Sequence, residues 1–306
     1  MKCLVTVVNK NRVRNRTRDT ELPYTYLFLV DLFSKEILPL NLPTDLETKY
    51  AKSAFGMTGM CRTSDKGYLI SFQGSEHPPF LELDKTLSFK KVHSTKLVKS
   101  THNIAMIDDT TLLLVSTGTD SIISHNLETS EEKIYYPNEN TEDKNHMNGL
   151  LSHKRNVYFS AFGPKEGKLW KTSEKGFLKN LTEDKILETP IYQPHTIFPA
   201  DETLYFCESA RALVRNLKGQ VLNVSLGYTR GLIVTDKYIA VGLSTGRIVS
   251  QSTGVILESS HPGEVKGICG IAVYEKDSDN IANSKFLHLI SLDDYAEEVY
   301  DLLLID

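Results

Sequence analysis

Five equal intervals govern what this chain can become. His102 to Ser116, His146 to Ser160, His195 to Ser209, Arg230 to Ser244 and Met57 to Ser71 each span 14 positions. Within each interval an opening residue precedes a short apolar run, a polar turn follows, and a second apolar run leads to the serine. Short β-branched and apolar runs bounded by turn residues read as strands. From Met57 to Arg230 the openings lie 45, 44, 49 and 35 residues apart, a period that belongs to one repeated supersecondary unit. Four short strands per unit at that period are the blades of a β-propeller.

The two ends of the chain complete one another. Strand-like runs at residues 3–8, 24–31 and 36–40 have no opening residue of this kind ahead of them, so the sequence begins inside a blade. Residues 298–305 form the last apolar run, with nothing behind them to complete a sheet. An uncovered strand edge is a liability that propellers remove by closure. Segments 1–42 and 296–306 are therefore expected to build one blade together, making residues 1–306 a single all-β domain, a six-bladed β-propeller. Its inner strands would open near Met57, His102, His146, His195, Arg230 and Glu298. Further strands are expected at 80–83, 88–92, 121–127, 133–136, 168–171, 212–215, 221–226, 269–274 and 286–290, with the Gly-, Ser- and Thr-rich segment 245–266 as an insertion.

Composition narrows the partners. The formal net charge is −4 with 24% charged residues, so no basic field calls for nucleic acid. No apolar run approaches membrane-spanning length, and residues 3–8 are too short and too β-branched for a signal-peptide core. Cys3, Cys61, Cys207 and Cys269 show no close pairing, and three of them sit in apolar runs. They read as buried thiols of a cytoplasmic protein. The sequence holds no phosphate-binding glycine loop, dinucleotide fingerprint, Gly-x-Ser-x-Gly elbow or Cys-x-x-Cys pair. It does not indicate an oligomeric state.

Six short motifs occur in a fixed order: His146-Met147-Asn148-Gly149-Leu150, Pro194-His195, Gly227-Tyr228-Thr229-Arg230-Gly231-Leu232, Val241-Gly242-Leu243-Ser244, Cys269-Gly270 and Glu298-Val299-Tyr300-Asp301. In this the chain resembles, from about Gly56 onward, a largely bacterial family of propeller-like proteins without an assigned reaction. The family pattern reads His-Leu-Asn-Gly-Leu, Pro-His-Ser-Pro, Gly-Phe-Thr-Arg-Gly-Leu, Val-Gly-Leu-Ser, Cys-Gly and Glu-Ile-Tyr-Asp-Val. Thr196-Ile197 stands here where the family has Ser-Pro, and Trp170 is the only tryptophan. The resemblance implies a fold and leaves the chemistry to the residues.

Residues that open the inner strands of a propeller converge on one mouth of its channel. His102, His146 and His195 are the candidate metal ligands, since neutral imidazoles suit a divalent transition metal (Zn, Fe, Mn, Ni or Cu) and three ligands with an open position typify catalytic sites. Metal-bound water would then serve as nucleophile or base. Glu298 is a candidate fourth ligand or proton carrier. Arg230 is the candidate clamp for substrate carboxylate or phosphate, or for charge developing in the transition state.

Asn148 is a second-rank substrate-binding candidate, and Asn148-Gly149 is expected to form a bulge or close backbone approach. The structural alternatives are histidines that tie loops together, an Arg230 packed beneath Tyr228, and a Glu298 paired with Arg230. The basic loop 10–18 and the 245–266 insertion are expected on the same face. The function so expected is an enzyme, a metal-assisted hydrolase, lyase or oxygen-using enzyme acting on a small anionic molecule, with no nucleic acid and no membrane as partner. The alternative is a non-catalytic propeller presenting its rim to a protein or peptide.

Overall fold

A computed structural model describes residues 1–8, 25–46, 56–74, 76–136, 142–165, 175–245 and 267–305. The basic loop 10–18, Trp170, the strand expected at 168–171 and all but the first residue of the 245–266 insertion lie outside the described residues. The chain divides into two units, one of residues Met1–Asp143 with Asp294–Asp306 and the other of residues Lys144–Asp293. Strands are numbered along the chain.

In the first unit the C-terminal strand does find the N-terminal ones. Strand β1 (Lys2–Val8) is apolar and buried along nearly its whole length, so it needs a partner on each edge. It pairs antiparallel with β2 (Leu27–Asp31) on one side and β24 (Glu298–Ile305) on the other, and β2 pairs with β3 (Ile37–Pro39). A second meander runs β4 (Gly56–Arg62), β5 (Tyr68–Gln73), β6 (Phe80–Leu83), β7 (Phe89–His93). The third runs β8 (Thr101–Met106), β9 (Thr111–Ser116), β10 (Ser121–Asn126), β11 (Glu132–Tyr136). Leu69, Phe80, Ile104, Leu112, Leu114 and Ile123 pack the second sheet against the third. Each such side chain taken out of water contributes about 1.5–3 kcal/mol.

The second unit repeats the plan. Its meanders are β12 (Met147–His153), β13 (Asn156–Ala161), β14 (Gly176–Asn180), β15 (Lys185–Ile191), then β16 (Pro194–Ala200), β17 (Thr203–Glu208), β18 (Leu213–Asn216), β19 (Val221–Asn223), then β20 (Tyr228–Val234), β21 (Tyr238–Ser244), β22 (Gly270–Glu275), β23 (Lys285–Ser291). In the first of these sheets the third strand is β14, eight residues beyond the expected 168–171. Tyr205, Val214, Leu232, Val241 and Tyr274 belong to the core between the last two sheets. The chain is all-β and propeller-like, built from four-stranded antiparallel meanders with short turns.

Every first strand carries one extra residue at the same place. Between its two flanking pairs β4 sets Thr58 and Gly59 against Ser71, β8 sets His102 and Asn103 against Val115, and β12 sets Asn148 and Gly149 against Ser160. In β16, β20 and β24 the unpaired residue is Thr196, Gly231 and Tyr300. These are β-bulges, which twist a strand and re-aim its side chains.

The bulges fit closely where first strands lie side by side. A Cβ on Gly149 would stand 2.7 Å from Ser160 Oγ and 3.3 Å from the backbone N of Thr196. Gly231 holds φ 57° and donates its N–H to Thr196 Oγ1 at 3.0 Å. Thr196 itself, though β-branched, holds φ 27°, a strained value for such a residue. The bulge expected at Asn148-Gly149 is thus present, and it recurs in the other sheets.

Candidate functional site

The bulge register corrects the 14-residue ruler. His102, His195 and Arg230 share one position, the first residue of the bulge, as expected from the intervals. In the remaining sheets of this kind that position belongs to Asn148, two residues beyond His146, and to Thr58, one beyond Met57. Glu298 opens β24 opposite Val8, one residue before the equivalent position. The ruler slips because its serines are not equivalent. Ser160 faces the bulge, Ser116 pairs with Thr101 just outside it, and Ser209 lies past the end of β17.

In the first unit, β24, β4 and β8 run beside one another. His102 is buried, its Nε2 stands 3.4 Å from the Gln73 amide nitrogen, and its ring meets the Tyr300 ring edge-on at 5.6 Å. Glu298 is buried at the head of the same group of strands. Thr58 Oγ1 reaches Ser71 Oγ at 2.8 Å and the Thr101 carbonyl at 3.1 Å. Side-chain hydrogen bonds between first strands thus hold the register of this group.

In the second unit β12, β16 and β20 run beside one another, and their starts form a continuous string of rings. The His146 imidazole packs on Phe162 at 4.7 Å, and Phe162 meets His195 at 5.3 Å. His195 meets Tyr228 at 5.4 Å, and the Arg230 guanidinium lies over the Tyr228 ring at 5.3 Å. His195 and Arg230 are buried, whereas His146 is half-buried and holds φ 52°. Asn148 donates from Nδ2 to the His146 carbonyl at 2.8 Å, and Tyr228 donates its hydroxyl to Gln193 Oε1 at 2.8 Å. Buried guanidinium against an aromatic face gains cation–π energy of about 2 kcal/mol when desolvated.

The sequence pointed to His146, His195, Arg230 and Asn148, and all four belong to this string or bond directly to it. The packing of Arg230 on Tyr228, one of the structural alternatives, is present, and the parts played by Phe162 and Gln193 were missed because both lie just outside the strands. Phe162 is shared by the rings of both His146 and His195. Among the described residues no group of three or more His, Cys, Asp or Glu side chains is placed to hold a metal. What the string offers is a fixed cation, an imidazole and aromatic walls, a set suited to an anion with a planar or apolar body. The cysteines are free, Cys3, Cys207 and Cys269 buried and Cys61 half-buried. Burial pushes the thiols of Cys3 and Cys61 up to about 12, so neither is a nucleophile.

A family model matches residues 73–306. The chain belongs to that family, the domain of unknown function DUF4915. No curated protein matches. Among solved structures the DUF4915 chain is similar to one in a crystal structure of a nidogen/laminin complex, with TM-score 0.63, 10% identity and coverage of 99% of this chain and 97% of that one. It is also similar to a protein of unknown function from Bacteroides caccae, with TM-score 0.59, 10% identity and coverage of 98% and 97%. At such identity these likenesses concern the fold alone. Among the described residues of this DUF4915 protein no helix is long and apolar enough to cross a membrane.

Proposed function

We propose that the protein is an enzyme acting on a small anionic molecule held at the starts of β12, β16 and β20, with Arg230 as the clamp for carboxylate or phosphate oxygens and His195 as the group that moves a proton. The observation that carries this is the placement of His195 and Arg230 at the same bulge position of neighbouring strands, each against the ring of Tyr228. Bulges are over-represented beside active sites because they re-aim side chains. A buried guanidinium presents a fork that fits two anionic oxygens. Imidazole is the commonest general acid or base. A hydrolase or a lyase acting on an anion can use both parts. Asn148 takes the matching position on β12 and would line the same site.

The six-bladed reading of the meanders and a cytoplasmic location, which the free cysteines support, belong to the same proposal. Thermal-shift screening of small carboxylates and phosphates tests the binding site. Stabilisation by at least one of them is expected, reduced in Arg230→Gln and His195→Gln. A library that leaves the melting point of wild type unmoved would sink the proposal in favour of a protein- or peptide-binding role.

A further inference from the structure

His195 Nδ1 has two neighbours. It stands 2.8 Å from Ser209 Oγ and 3.2 Å from the backbone carbonyl of Gln193. The carbonyl can only accept. Ser209 donates its hydroxyl proton to the Thr229 carbonyl, so toward the imidazole its oxygen is an acceptor as well. Two acceptors at one ring nitrogen require that nitrogen to carry the proton. The neutral ring then has its lone pair on Nε2.

We infer that Ser209 is a positioning residue, which together with the Gln193 carbonyl fixes His195 as the Nδ1–H tautomer and makes Nε2 the proton-accepting atom of the site. The inference rests on the function proposed above and narrows its substrate class. A base with its lone pair preset suits an anion bearing an acidic proton, on a hydroxyl or on carbon beside the clamped carboxylate or phosphate. In that step Nε2 takes the proton and the substrate keeps the electron pair. The imidazolium so formed keeps both Nδ1–H bonds, which strengthen as the donor becomes charged. Thr229, whose carbonyl orients the Ser209 hydroxyl, immediately precedes Arg230, so base and clamp are tied through one strand. Thr196, next to His195, accepts the N–H of Gly231, next to Arg230, and makes a second tie.

The test is spectroscopic. Protein labelled with ¹⁵N-histidine is studied at pH 9, above the ordinary range of imidazole titration, by long-range ¹H–¹⁵N correlation, with His195 assigned by its loss in His195→Gln. The expected pattern is a protonated Nδ1 and an unprotonated Nε2. A protonated Nε2 in wild type would overturn the inference. Ser209→Ala is expected to convert the pattern to a mixture of tautomers, and an unchanged pattern in the folded variant removes Ser209 from the role. Should Ser209→Ala not fold, Ser209→Cys, a weaker acceptor of similar size, replaces it with the same two outcomes.

Malonate, added to the same samples and followed at the chemical shifts of the His195 ring nitrogens, separates this inference from the proposed function. The expected tautomer without malonate binding counts against anion binding and leaves the inference standing, whereas malonate binding with a protonated Nε2 does the reverse.

Discussion

Asp301 accepts the backbone N–H of Met60 at 3.0 Å and that of Leu302 at 2.9 Å, which fastens the C-terminal strand β24 to β4 through a buried carboxyl. Burial pushes that carboxyl up to about 7, against the pull of the two N–H groups. Its folded value exceeds the unfolded one, so the folded chain holds a proton that the unfolded chain releases. Stability from this group is complete below the ordinary carboxylate range and is lost as pH rises toward 7. Urea melts between pH 4.5 and 7 should show this loss, at most about 1.4 kcal/mol per pH unit. Asp301→Asn, which keeps an acceptor oxygen, should flatten the slope. A slope identical to wild type in that variant would count against the assignment.

A second buried group acts in the opposite sense. His93 stacks on Phe80 at 4.6 Å, with His125 edge-on to the same ring at 5.0 Å. His93 Nε2 meets Glu82 at 2.9 Å and His125 Nδ1 meets Glu132 at 3.1 Å. Neither His93 Nδ1 nor His125 Nε2 has a hydrogen-bond partner among the described residues. Lys90 also pairs with Glu82, and Glu132 accepts the N–H groups of Lys96 and Leu97. Burial lowers the pKa of His93, outweighing the pull of Glu82. The unfolded chain therefore takes up a proton first, and stability falls as pH drops below the ordinary histidine value of 6.5. His93→Gln should weaken the loss between pH 6.5 and 5 in the same melts, and an undiminished loss would refute it.

Gly149 has no room for a side chain. A Cβ there would meet Ser160 Oγ, which accepts the Gly149 N–H at 3.0 Å. Gly149→Ala should therefore lose about 1–3 kcal/mol of stability, the usual range for overpacking, read as a shifted urea midpoint. A midpoint equal to wild type would show that the bulge relaxes freely.

Arg230→Lys keeps the charge and loses the planar fork that lies over Tyr228. Malonate affinity measured by calorimetry is expected to fall about tenfold, about 1.4 kcal/mol, with the melting point little changed. Undiminished affinity would argue that Arg230 packs without clamping.

Much of the fold was legible because burial demands partners. The apolar runs 3–8 and 298–305 each lacked a neighbour, and β1 and β24 supply one another. The shared position of His102, His195 and Arg230 followed from repeat length. The substitution of Asn148 for His146 did not, because which residue opens a bulge is set by the register with the facing strand. Ser209 stood at the end of a 14-residue interval in the sequence. Its hydrogen bond to His195 could be seen only once β16 and the turn after β17 were brought together. His93 and His125 lie outside the strand-opening positions that the repeat singles out, and burial alone marks them.

The pairing of β1 with β24 also bears on how the chain is made. Strand β1 leaves the ribosome long before β24 and carries a buried face on both sides, yet one of its two edges has no occupant until residues 298–305 are synthesised. At about 5–20 residues per second that wait lasts on the order of 15–60 s. Throughout it, an apolar strand edge is available to any passing β-segment. Newly made protein should accordingly depend on chaperones until β24 has been translated.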